Sequence, residues 1–171
     1  MRAFIAIDIP EDIKKEIIKL QDRLPEFTGK KTEPENLHLT LKFLDWIDGG
    51  KLEEIKNQLK KIKFDKFRVE IDAIGLFDYR IIWVNMKNCE ELQKEIDKAL
   101  SGLFEQEEKF MGHLTIARMK RVEDKLKFNS ELSKIKFKSM NFFAADFKLK
   151  ESRLKKSRPI YRDLEAYGLT G

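Results

Sequence analysis

The sequence predicts an α+β fold built from a duplicated half-domain. Three observations lead there. Stretches with the two-residue alternation of β-strands take turns with stretches of helical apolar spacing. The run His38-Leu39-Thr40-Leu41 returns as His113-Leu114-Thr115-Ile116, and these hold both histidines of the chain. Around each copy the elements come in one order: a helix, the His strand, a helix, two strands.

The opening AFIAIDIP, residues 3–10, reads as a buried strand that Pro10 ends. Pro10-Glu11-Asp12 then starts a helix with acids in its first turn, where they complement the helix dipole. Ile13, Ile17, Leu20 and Leu24 form its apolar stripe. PEFTGKKTEPEN, residues 25–36, reads as a polar loop. Leu37, Leu39, Leu41 and Phe43 alternate with His38, Thr40 and Lys42, which predicts a half-buried strand broken by Asp48-Gly49-Gly50. Leu52, Ile55, Leu59 and Ile62 mark a second helix. Residues 67–77 and 80–86 read as paired strands joined by Asp78-Tyr79. A third helix is expected over 89–104, with Leu92, Ile96, Ala99 and Leu103 facing inward. HLTIAR follows as a strand and residues 123–135 as a weak helix. Residues 139–154 and 159–169 look like a closing strand pair. No linker composition separates the halves, so residues 1–171 are expected to form one domain of two pseudo-symmetric lobes. Repeats of this kind are commonly related by a pseudo-twofold axis, which would bring the two His strands together.

Apolar residues make up 42% of the chain, with 13 phenylalanines, enough for a core without staples. Charged residues reach 38% with both signs mixed, which argues against disorder. No apolar run is long enough for a membrane span and Met1 opens no signal-peptide pattern, so we expect a cytoplasmic protein with no membrane partner. The lone Cys89 excludes an internal disulfide and a Cys-based zinc cluster. It begins a helix, a place that can lower a thiol pKa. No P-loop or Gly-rich dinucleotide pattern is present, and the carboxylates are dispersed. A net charge of +5 favours an anionic partner, of which nucleic acid is the commonest.

Two-residue alternation puts His38 and Thr40 on one strand face, and likewise His113 and Thr115. Two such strands facing one another make a pocket with two imidazoles and two hydroxyls. One imidazole can accept a proton while the other donates one. The hydroxyls can donate to anionic oxygens. A phosphodiester fits this set, with no metal and no cofactor required; neither histidine has a third metal ligand near it in sequence.

These residues resemble the 2H phosphoesterases, and within them the 2′-5′ RNA ligase-like RNA 2′,3′-cyclic phosphodiesterases. The similarity runs the whole length: RAFIAIDIP looks like the opening strand, PENLHLTLKFL and HLTIARM like the paired motifs, and RPIYRDLEAYGL like the closing strand. There are two departures. Gly112 stands where a proline usually precedes the second histidine, and Asp45 stands where glycine usually follows KFL.

The resemblance implies a bilobal fold in which two antiparallel sheets flank a central cleft, with helices outside. It implies hydrolysis of a terminal 2′,3′-cyclic phosphate to a 2′-phosphate, and reversible 2′-5′ joining of RNA ends. The implied partners are RNA ends bearing a 2′,3′-cyclic phosphate or a 5′-hydroxyl, tRNA halves among them, with the protein acting as a monomer. His38 and His113 carry over as catalytic, Thr40, Thr115 and Arg118 as phosphate-binding, and Phe43 as base-stacking. We assign His38 as proton donor and His113 as proton acceptor; the symmetry of the motifs leaves the reverse open. Strict alternation puts Phe43 and Arg118 on the face opposite the histidines, so either the strands twist or end before them or the two are structural. Lys148, Lys150, Arg153, Lys155, Lys156 and Arg158 could guide RNA or form a solvated hairpin loop. Tyr161 borders the site or packs, and Trp46 stacks on a base or caps the core. Rival readings are a cyclic phosphodiesterase of small nucleotides and a non-catalytic RNA-end binder.

Overall fold

A computed structural model describes the whole chain, Met1–Gly171. In chain order the elements are β1 (Arg2–Asp8), α1 (Glu11–Asp22), β2 (Thr28–Lys31), a 3-10 turn (Pro34–Asn36), β3 (His38–Trp46), α2 (Gly49–Leu59), β4 (Phe67–Phe77) and β5 (Ile81–Lys87). Then come α3 (Glu90–Ala99), β6 (His113–Arg121), α4 (Lys125–Ser133), β7 (Met140–Ala144), β8 (Asp146–Lys155) and β9 (Arg158–Gly168).

Two antiparallel sheets result, in strand order β3-β1-β8-β9 and β2-β6-β5-β4-β7. The duplication shows directly in these orders: β3-β1-β8-β9 corresponds to β6-β5-β4-β7, with β2 added outside β6. The two strands that follow α2 join the sheet of the second His strand. Those that close the chain join the sheet of the first. Each lobe therefore mixes both halves of the sequence. The sheets meet along β3 and β6, the two His strands. Helix α1 lies against β6 and β7, and α3 lies against β3.

Burying the inward faces builds one cluster of 36 apolar residues, running from Ile5 and Ile7 through Leu39 and Leu41 to Leu114 and Ile116. The helix stripes read from the sequence supply Ile13, Ile17, Leu20, Ile55, Leu92 and Ile96 to it. Asp48 accepts from the Lys51 N–H at 2.8 Å and Asp124 from the Lys127 N–H at 3.0 Å. Both are N-caps, so the expected strand break at Asp48-Gly49-Gly50 is also the start of α2. No helix is long and apolar enough to cross a membrane.

Three element readings change. The polar loop 25–36 contains β2 and the 3-10 turn. The segment 139–154 is two strands, β7 and β8, broken at Ala145 and placed in different sheets. Helix α3 stops at Ala99, and the chain turns before Leu103.

Candidate active site

His38 opens β3 and His113 opens β6, and the two strands have the same burial profile residue for residue. In each, the apolar partners Leu39 and Leu41, or Leu114 and Ile116, are buried, while the histidine and threonine are half-buried on the other face. The Nδ1 of His38 lies 2.7 Å from the Asn36 carbonyl, and that of His113 lies 2.8 Å from the Met111 carbonyl. A carbonyl only accepts, so Nδ1 carries the hydrogen in both rings and Nε2 is the nitrogen left for chemistry.

Phe43 and Arg118 share the histidine face, contrary to strict alternation. The cause is a one-residue bulge at the same place in each motif. Ala6 faces Thr40 and Ile5 faces Lys42, which leaves Leu41 unmatched. Trp83 faces Thr115 and Ile82 faces Ala117, which leaves Ile116 unmatched. An extra residue reverses the facing of the residues that follow it, and in β3 this holds up to a second shift, at Leu44, just after Phe43. Phe43 comes to lie 6.4 Å from the Phe4 ring and is 66% exposed. The Arg118 charge reaches His38 in the other lobe and helps lower its pKa.

Each bulge has its own support. In β3 it sends Lys42 inward, where Nζ sits 2.6 Å from Asp97 and 2.8 Å from the Glu105 carbonyl. The sequence placed Lys42 on the polar face with His38, and the bulge overturns that. In β6 the same position is Ala117, and the Ile116 carbonyl accepts from Gln21 Nε2 and from the Thr32 N–H, both at 2.9 Å. Gln21 is buried and also donates to the Thr32 carbonyl at 2.9 Å.

The two histidines have unlike surroundings. His38 sits against Phe4 at 5.0 Å and edge-on to Tyr161 at 4.9 Å. Burial pushes its pKa down to about 4, and the Lys150 and Arg118 charges add to that against the opposing Asn36 carbonyl and Asp8. Across the ladder from His38 is Asp8, bonded to Lys148 at 2.6 Å and Lys150 at 2.7 Å. Asp163 holds the same two lysines from the other side, at 3.3 and 2.7 Å. Although burial alone would raise the Asp8 carboxyl, the lysine bonds hold it below the usual range. Lys148 and Lys150 thus leave the proposed basic hairpin cluster for an ion network near His38. Arg153 pairs with Glu151 and Arg158 with Glu35, and Lys155 and Lys156 mark the exposed hairpin end.

His113 faces Asn85 across its ladder and has Phe77 edge-on at 5.5 Å, with Trp83 at 6.4 Å. Neither aromatic was singled out from the sequence, because both read as ordinary strand residues. Tyr161 does border the site, while Trp46, at 77% exposure, caps nothing. No three His, Cys, Asp or Glu side chains converge as a metal-ligand group.

Both departures from the family pattern have local causes. A Cβ on Gly112 would fall 2.3 Å from the Met86 carbonyl oxygen and 2.4 Å from Cys89 Sγ, so no side chain fits there. Asp45 has φ 54°, in the left-handed region that favours glycine and that Asp tolerates better than most residues. Cys89 is fully buried and its thiol is pushed up to about 12 by that burial, which overrides any lowering by its helix position.

A family profile described as LigT like Phosphoesterase matches residues 7–83 and again 85–161, one match over each His motif. The chain is 38% identical over 175 residues to the RNA 2′,3′-cyclic phosphodiesterase of Methanocaldococcus jannaschii, covering 98% of this chain and 100% of that protein. It is 32% identical over 181 residues to the protein of the same name from Archaeoglobus fulgidus, covering 98% and 99%. Among solved structures, TT0787 of Thermus thermophilus superposes with a TM-score of 0.83 at 22% identity, covering 100% of this chain and 99% of that one, a likeness of fold. With matching His strands in both halves and relatives aligned end to end, the chain belongs to the LigT-like phosphoesterase family.

Proposed function

We propose that this protein is an RNA 2′,3′-cyclic phosphodiesterase that opens the terminal cyclic phosphate to a 2′-phosphate, with residues 1–171 working as one monomeric two-lobed unit. The observation that carries the reading is the matched fixing of His38 and His113 by backbone carbonyls, which leaves each Nε2 free on its strand's outward face. The M. jannaschii and A. fulgidus relatives carry the name of this activity, and RNA as substrate follows from it.

The phosphate sits between the lobes. Thr40, Thr115 and Arg118 donate to its non-bridging oxygens, where charge grows in the transition state. His113 Nε2 takes a proton from water, the water oxygen bonds phosphorus, and the P–O3′ bond breaks. His38 Nε2–H gives its proton to O3′. One water is consumed and one 2′-phosphomonoester with a free 3′-hydroxyl is made. If a 5′-hydroxyl replaces water, the same steps make a 2′-5′ diester, and the reverse runs with the histidines exchanging roles. These steps call on no metal or cofactor. Phe43 stacks on the base of the nucleoside that carries the phosphate.

His38 is neutral at rest because of its burial. The arriving phosphate anion favours its charged form, so binding substrate also loads the proton donor.

The test is an RNA oligonucleotide ending in a 2′,3′-cyclic phosphate, incubated with the protein in EDTA. A 2′-phosphate product is expected, and a longer 2′-5′-linked product when a 5′-hydroxyl RNA is added. No turnover, a 3′-phosphate product, or turnover of cyclic mononucleotides with none of the oligonucleotide overturns the reading.

A further inference from the structure

We infer that Phe77, lying on Trp83, is a second nucleobase platform, which receives the nucleoside on the nucleophile side of the phosphate. This rests on the diester chemistry proposed above.

The two lobes differ at this place. On the His38 side, the row across the sheet is Phe43, Phe4 and Lys150. On the His113 side, the corresponding row is Arg118, Ile81 and Phe77. Phe77 is 37% exposed, and its ring lies 5.0 Å from that of Trp83 at a 31° tilt. It also meets the His113 ring edge-on at 5.5 Å. So an accessible aromatic face stands beside the proposed proton acceptor, about two strand spacings (~10 Å) from Arg118.

The platform has a specific foundation. Gly75 faces Trp83 across the β4–β5 ladder, and a Cβ there would fall 2.2 Å from Trp83 Cζ2. Only glycine lets the indole lie flat on the neighbouring strand. Trp83 Nε1 is buried with no hydrogen-bond partner. A buried N–H without an acceptor is destabilising, and an aliphatic residue would avoid it. What the indole supplies here is its ring, as a broad support under Phe77.

The direction follows from in-line displacement, in which nucleophile and leaving oxygen lie on opposite sides of phosphorus. The nucleoside that loses its bond to O3′ lies toward His38 and Phe43. The His113 side admits the nucleophile. When that is water, Phe77 stays empty; when it is a 5′-hydroxyl, the incoming nucleoside brings a base to stack on Phe77. The platform therefore serves joining and its reversal.

Two uncleavable diesters test this by titration calorimetry with the intact protein. One is a 2′-5′-linked adenosine dinucleotide whose phosphate-bearing nucleoside lacks its 3′-hydroxyl, so no cyclic phosphate can form. The other is the same 3′-deoxynucleoside with a methyl group in place of the second nucleoside. In the wild type the second nucleoside should tighten binding about tenfold, or about 1.4 kcal/mol. Phe77→Leu should erase that gain while leaving the methyl ester within about twofold, and Phe77→Tyr should keep it. No gain in the wild type, no binding of either ligand, a gain that survives Phe77→Leu, or equal weakening of both ligands overturns the inference. Failure of the wild type to open cyclic phosphates is a separate result; it removes the proposed reaction and leaves this comparison readable.

Discussion

His38 and His113 leave the same ring nitrogen free: each gives its Nδ1–H to the carbonyl two residues before it, at 2.7 and 2.8 Å. With Nδ1 engaged, each ring acts only through Nε2. Replacing either histidine by alanine should lower turnover of a cyclic-phosphate RNA by roughly 10²–10⁴-fold. Neither ring belongs to the apolar cluster, so the circular dichroism spectrum and cooperative unfolding should persist. Activity within about tenfold of wild type in either variant would sink the two-histidine mechanism.

The donor and acceptor can be told apart by the leaving group. A 4-nitrophenolate leaves without needing a proton, so an acid catalyst is dispensable for it. On a 3′-deoxynucleoside 2′-(4-nitrophenyl phosphate), His38→Ala should recover to within about tenfold of wild type, while His113→Ala should stay impaired. The opposite pattern would reverse the assignment.

Burial holds His38 down at about 4, and an anion beside it must raise that value. By linkage, anion affinity then rises as pH falls through the bound-state pKa and levels off below the free-state one. Sulfate keeps a fixed charge over this range and stands in for the phosphate. With two histidines in the chain, NMR can follow each ring. The His38 ring, assigned by its loss in His38→Gln, should titrate near 4 without sulfate and at least ~1 unit higher with it. A His38 titration that sulfate does not move would remove the coupling between binding and donor loading.

The paired motifs were legible because alternation within one strand fixes what shares a face. The facing of Phe43 and Arg118 was not, because each bulge is a relation between neighbouring strands, β3 with β1 and β6 with β5. Nothing local marks Leu41 or Ile116 as the extra residue. Lys42 and Ala117, the residues just after the extra ones, have opposite character, and the one hint from residue type is Arg118 itself, because an arginine facing the core is rare. β2 is four exposed residues whose strand form comes from pairing with β6. Phe77 and Trp83 fit a half-buried strand as well as they fit a platform. What separates the readings is Gly75 across the ladder, and that pairing appears only in the fold.

Lys42 and Asp97 are 2% and 3% exposed and 2.6 Å apart. Lys42→Ala leaves the carboxylate buried without its cation, which should cost about 3–5 kcal/mol at neutral pH. Although burial alone would raise Asp97, the bonds from Lys42, the Glu107 N–H and Gln93 hold its pKa below the usual range. A depressed carboxyl stabilises the fold above its unfolded value, about 3.9, and that contribution fades as pH falls through the folded value. The loss caused by Lys42→Ala should therefore shrink in acid. Urea unfolding at neutral pH and again below the folded value of Asp97 checks this, and an equal loss at both would show that the missing side-chain volume, not the ion pair, sets the cost.

Gln21 lies on α1, outside both motifs, yet its amide holds the Ile116 carbonyl at the bulge that turns Arg118 toward the histidines. Gln21→Leu keeps the apolar bulk and removes that bond. The Ile116 carbonyl keeps only the Thr32 N–H and the part-buried Thr32 carbonyl loses the Gln21 amide, which should lower stability by about 1 kcal/mol. If the bond matters to catalysis by placing Arg118, the variant should also lower kcat/KM on cyclic-phosphate RNA about tenfold, or about 1.4 kcal/mol. The effect must then depend on Arg118 being present. In an Arg118→Ala background the same substitution should change kcat/KM by less than about twofold, because a positioning residue has nothing left to position. Additive losses in the double variant would mean that Gln21 supports the fold and not the guanidinium. A smaller loss in the double variant than the sum of the two single ones would place Gln21 behind Arg118.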